Sequence, residues 1–148
     1  MPAKRLVAAW LGLACAFVPP TSSSASASPS AMVDAINHVR SAHGVRPLRY
    51  SGSLARSSSS FSRYVLRTDR FAHAGRIIAS RRFSRLGEVL ALTPGWTIRP
   101  RRTVADWLGS PGHRAVLLNA SFRYVGAARV RGRYGASKAV VWTVQFGR

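Results

Sequence analysis

Cysteine and acid are what this chain has least of. Its 148 residues include one cysteine, Cys15, and four carboxylates against 23 lysines and arginines, a formal net charge of +19. A single thiol forms no internal disulfide, so the domain is expected to be held by its apolar core, even in an oxidising compartment. Lysine is nearly absent as well. Apart from Lys4 the sole lysine is Lys138, and Glu88 is the sole glutamate. Long apolar runs are missing: Leu6–Val18 covers thirteen residues, too few to span a bilayer comfortably. No internal repeat, glycine-rich phosphate loop, His-Glu-x-x-His pair or nucleophile elbow occurs. No zinc-finger, helix-turn-helix or aromatic RNA-binding signature accompanies the charge, so specific nucleic-acid binding is not expected.

The thirteen-residue run reads as the centre of a secretory signal over residues 1–27. Lys4 and Arg5 precede it, and Ser24-Ala25-Ser26-Ala27 offers a small-residue cleavage site. Lipidation of Cys15 is the alternative, although Gly12 stands where a lipoprotein signal wants an aliphatic residue. Cleavage leaves residues 28–148 as a single domain with no cysteine, no transmembrane span and 21 basic against four acidic residues, a net +17. Localisation is expected to be extracellular or in the cell envelope. Such a field favours anionic polymers as partners, wall polymers or acidic headgroups among them; an arginine-rich solvated surface is the plain alternative.

With nearly half of the residues hydrophobic, a sizeable core is available. Ser30 is placed to cap a helix over residues 31–43, in which Met32, Ile36 and Val39 recur at helical spacing before Gly44. A second helix is expected over Ser53–Thr68, its Ser57–Ser60 run needing tertiary packing to hold it. A histidine turn at Phe71–Gly75 and a short basic amphipathic piece, Arg76–Phe83, lead to Glu88, directly before an apolar strand that Thr93-Pro94-Gly95 breaks. Another helix is expected from about Pro100 to Leu108. From Tyr124 the period changes to two, and segments 124–130 and 140–146 read as an antiparallel hairpin with Gly132 and Gly135 in its connection.

The stretch Trp107–Asn119 carries the strongest local signal. Ser110 can cap a helix whose first residue is Pro111, which puts His113 in the first turn. There the positive end of the helix dipole disfavours imidazolium, so a ring able to ligate a metal or accept a proton is expected. His73, Glu88 and His113 are the candidate site residues. Two imidazoles and a carboxylate can hold zinc with an open position, or serve as acid and base without it. Spacing alone leaves open whether they meet. His38 and His43 read as exposed, and Trp107 and Trp142 as core.

Taken in order, several short motifs form a set: Asn37-x-x-Arg40 with Gly44 and Pro47-Leu48; Phe71-x-His73; Gly87-Glu88; Trp107 with Ser110-Pro-Gly-His113-Arg114. Leu117-Leu118-Asn119, Phe122 with Val125-Gly126, and Trp142-Thr-Val-Gln-Phe-Gly147 complete it. From about residue 31 to the C-terminus the chain resembles a bacterial CAP-superfamily (SCP/PR-1-like) domain. The resemblance implies an α+β fold, a three-layer α-β-α sandwich with a central antiparallel sheet, and a cleft where His73, Glu88 and His113 converge. It also implies that the two histidines can bind a divalent metal such as zinc. Two positions depart from the family pattern: Val89 stands where asparagine is usual, and Ser110 where many eukaryotic members carry a second glutamate.

Family resemblance does not fix an activity. The expected function is that of a non-enzymatic envelope or extracellular binding domain, with a divalent metal at His73, His113 and Glu88 and a lipid or cell-wall ligand. A metal-dependent hydrolase of peptide or wall material, with Glu88 as candidate catalytic base, is one alternative; a cationic binder of anionic polymers is another.

Overall fold

The structure, a computed structural model, describes residues 28–97 and 99–148; the expected signal segment and Cys15 lie outside the described residues. Four helices and four strands follow one another as α1 (Pro29–Ala42), β1 (Arg49–Tyr50), α2 (Gly52–Thr68), β2 (Leu86–Pro94), α3 (Pro100–Gly109), α4 (Pro111–Leu117), β3 (Tyr124–Tyr134) and β4 (Ser137–Gly147). The sheet order is β1-β3-β4-β2. Pairing is antiparallel except for the two-residue parallel bridge of β1 with β3. Among the described residues no helix is long and apolar enough to cross a membrane.

Alternation along β3 and β4 builds the two covered faces. Val125, Ala127, Trp142, Val144 and Phe146 join Val89 of β2 in one cluster with Met32 and Ile36 of α1, Val104 and Trp107 of α3, and Leu117 of α4. The residues between them, Gly126, Thr143 and Gln145, face α2. Six serines in α2 cost roughly 0.5 kcal/mol each in helix propensity, while burying Leu54 and Val65 returns roughly 1.5–3 kcal/mol apiece. The two buried serines also gain partners on the sheet. Buried Ser58 donates to the Gly126 carbonyl at 2.9 Å, and buried Ser62 to Thr143 Oγ1 at 2.7 Å.

The Asn37-x-x-Arg40 motif ties the end of α1 to the next loop and to the end of α4. Asn37 exchanges two hydrogen bonds with the Leu48 backbone, at 3.0 and 2.8 Å. The fully buried Arg40 guanidinium donates to the carbonyls of Arg46, Leu117 and Asn119.

Several boundaries differ from the sequence expectations. Ser28, not Ser30, caps α1: its hydroxyl accepts from the Ala31 amide at 3.2 Å, with Pro29 at the first helical position. Ser110 occupies the cap position of α4 with extended backbone but makes no side-chain capping bond; its carbonyl accepts from Arg114 N–H at 2.8 Å. Segment 76–83, read as a short basic amphipathic piece, forms neither helix nor strand, and its Ile78 is 81% exposed. Strand β2 runs through Thr93 and ends at Pro94, after which Gly95, with a φ of 74°, turns the chain; an edge strand tolerates a proline that lacks a donor. The hairpin ladder continues to Tyr134↔Ser137, so Gly132 lies within β3 and Gly135, with φ 56°, makes the turn.

Candidate functional site

The site forms along the free edge of β2, where a strand leaves half of its backbone groups unpaired. Trp107 of α3 covers part of that edge, donating its indole N–H to the Leu90 carbonyl at 2.8 Å. This bond fixes α3 and, through Ser110, the start of α4. His113 sits in the first turn of α4 with its ring centroid 6.4 Å from Trp107 and 6.0 Å from His73.

Glu88 lies inside β2, opposite Gln145 of β4, and its side chain is only 5% exposed. A carboxylate so enclosed needs donors around it, and three are present. Its Oε1 accepts from the Ala74 amide at 2.9 Å and faces His73 Nδ1 at 3.2 Å, while Oε2 accepts from Gln145 Nε2 at 2.8 Å. Because a carboxylate only accepts, His73 Nδ1 carries the proton in this pair and, in the neutral ring, Nε2 keeps a free lone pair. The His73 side chain is 58% exposed.

Burial first, and then the neighbouring His73, lower the pKa of His113 below its usual 6.5. The expected helix-dipole contribution acts in the same direction. Below about pH 6.5 the unfolded chain therefore binds more protons than the folded one. The stabilisation from this neutral ring is complete above that value and is lost as the pH falls through the lowered folded pKa. NMR titration of the metal-free protein should give His113 a midpoint below 6.5; a midpoint at or above it would contradict this reading of its surroundings.

Among the described residues no group of three or more His, Cys, Asp or Glu side chains is placed to hold a metal. The two histidines are the donors nearest to such an arrangement. Zinc bonds imidazole nitrogen at about 2.0–2.1 Å, roughly 3.2 Å from the ring centre, so two rings on a tetrahedral ion stand about 5.2 Å apart. The observed centroid separation is 6.0 Å, and the rings would have to close by under about 1 Å to share an ion.

His73 thus adjoins both other expected site residues, Glu88 through its Nδ1 and His113 through its ring. His38 and His43 are exposed and away from them, and His43 Nδ1 lies 2.9 Å from the Val39 carbonyl. Gln145 is not among the expected site residues. Its signal is a lone amide in an otherwise apolar alternating strand, and what it touches depends on a cross-strand register that periodicity does not supply. Beside the site, α2 and residues 70–79 enclose a cleft of about 720 Å³ with His73 and Gln145 among its lining residues.

Among curated proteins none matches the chain. Solved structures do. An outer surface protein from Borrelia burgdorferi is 19% identical with a TM-score of 0.67, covering 80% of this chain and 90% of its own. An extracellular protein containing a SCP domain from Bacillus anthracis is 25% identical with a TM-score of 0.62, over 80% of this chain and 39% of its own. NaASP2, solved with Zn2+, is 11% identical with a TM-score of 0.62, over 86% and 83%. The model of the cysteine-rich secretory protein family, CAP, matches residues 33–146, from within α1 almost to the end of β4. With its α-β-α layering, this chain, which keeps no cysteine beyond Cys15, belongs to the CAP family.

Proposed function

We propose that the chain is an extracellular or envelope binding domain in which His73 and His113 hold a divalent cation such as zinc, beside a cleft that takes a hydrophobic or wall-derived ligand. The observation that carries this reading is the occupied carboxylate of Glu88. With Oε1 turned to His73 and Ala74 and Oε2 engaged by Gln145, Glu88 serves as the group that orients His73 and fixes its tautomer, the arrangement found behind metal-ligating histidines. The same bonds leave it poorly placed as a free general base, which favours binding over hydrolysis. Two protein ligands, fewer than a closed structural zinc site uses, leave positions for water or ligand and fit a readily exchanged ion. NaASP2, of the same fold, was solved with Zn2+.

Calorimetric zinc titration tests the reading. Glu88→Gln keeps the side-chain shape but removes the charge facing His73, and should weaken zinc binding about 10–100-fold, with the fold checked by circular dichroism. Unchanged zinc affinity in a folded Glu88→Gln variant would contradict the assigned role.

A further inference from the structure

The cleft between α2 and residues 70–79 has a chemistry of its own. Its deepest lining residue is Gln145, 1% exposed, whose Nε2 is committed to Glu88 Oε2. That bond fixes the orientation of the amide, because the reverse would set two acceptors against each other. The Oε1 atom is then left buried with no partner among the described residues. A bare buried acceptor forfeits its hydration with nothing in exchange, so the position suits a donor. On the walls stand three arginines, Arg56, Arg70 and Arg76, none within ion-pair distance of a carboxylate among the described residues. Phe61 and Tyr64 add apolar rings to the same wall, stacked on one another with centroids 5.8 Å apart and planes 18° from parallel, and the Arg67 guanidinium lies over the Tyr64 ring at 5.9 Å. Serine hydroxyls of α2 lie on the same wall.

We propose that this cleft binds an acidic saccharide, with a sugar hydroxyl or amide donating to Gln145 Oε1, the sugar ring against the stacked Phe61–Tyr64 pair, and a carboxylate or phosphate on the arginines. Guanidinium groups take such anions in paired hydrogen bonds. A fatty acid fits less well, because its tail would reach an amide floor and leave Gln145 Oε1 unpaired. The proposal deepens the reading of the domain as a binder of wall-derived material, and it does not depend on the metal.

Calorimetry on the purified protein decides it. The probes are the N-acetylglucosamine–N-acetylmuramic acid disaccharide, whose lactyl group is a carboxylate, a hyaluronan tetrasaccharide as a uronate of different origin, neutral chitobiose, and palmitate. Binding of either acidic sugar at least tenfold tighter than chitobiose is expected, and the tighter of the two identifies the source of the ligand. The double variant Arg56→Ala/Arg76→Ala, both positions being exposed, should lose at least tenfold of that affinity while its zinc titration stays unchanged. Equal binding of chitobiose, binding of palmitate alone, no binding of either acidic sugar, or undiminished affinity in the double variant would each overturn the proposal. If zinc binding fails in the parent protein while the sugar still binds, the metal reading falls and the saccharide site stands.

Discussion

Gly126→Ala should lower stability by about 3–5 kcal/mol, more than most core overpacking does. A Cβ at this position would sit 2.1 Å from the Ala55 amide nitrogen, 2.4 Å from the Leu54 carbonyl carbon and 2.6 Å from Leu54 Cβ. Two of these are backbone atoms of α2, so no side chain can rotate away; the helix has to lift off the sheet. Lifting it strains the bonds from Ser58 to the Gly126 carbonyl and from Ser62 to Thr143, and would leave buried hydroxyls without partners. Gly112→Ala is the matched control. It lies in α4, where an added Cβ meets nothing within 4 Å, and alanine gains about 0.5–1 kcal/mol over glycine in a helix. Denaturant unfolding should therefore show the same substitution acting with opposite signs at the two positions. A loss under about 1 kcal/mol at Gly126 would show that α2 is not seated on β3 as described.

Arg40→Ala should cost a similar amount, about 3–5 kcal/mol, seen as a fall in Tm of roughly 10–15 °C. The guanidinium is fully buried, with no acidic partner among the described residues, and donates to carbonyls through two of its three nitrogens: Nε to Arg46, and Nη1 to Leu117 at 2.6 Å and Asn119 at 3.2 Å, while buried Nη2 has no partner among the described residues. Burial, and then the nearby Arg123 charge, depress its pKa, yet a guanidinium remains a cation at neutral pH. Its removal leaves three carbonyls short of a donor and a cavity among α1, the following loop and the end of α4. Arg40→Lys should recover little, since one ammonium cannot span the fork. By contrast Arg102, exposed and paired with Asp106 one turn on, should change stability by less than about 0.5 kcal/mol on replacement by alanine. Equal effects at Arg40 and Arg102 would remove the motif's structural explanation.

Periodicity made the four helices and the β3–β4 hairpin legible, because each buries one face over several turns or pleats. It failed where fewer residues decide the outcome. Strand β1 is two residues long, too short for any pattern, and is held by Arg49 and Ser51 amides bonding to the carbonyls of Arg123 and Val125. Segment 76–83 mixes arginines with apolar residues, yet it takes no regular structure and leaves Ile78 81% exposed. Ser30 and Ser28 are equally good caps in sequence, and the proline at position 29 decides for Ser28. As for the site, spacing supplied its residues one by one, and the family resemblance supplied their convergence. What neither supplied was Gln145, whose contact with Glu88 follows from the β2–β4 register.

The histidine pair is the centre of the account, and ring-nitrogen NMR during zinc titration tests it most directly, because the chain has four histidines and the account separates them two from two. Zinc should move the ring-nitrogen signals of His73 and His113 together, with His73 bound through Nε2 while Nδ1 keeps its proton towards Glu88, and should leave exposed His38 and His43 unmoved. Movement of His38 or His43 in their place, or none at His73 and His113, would contradict it.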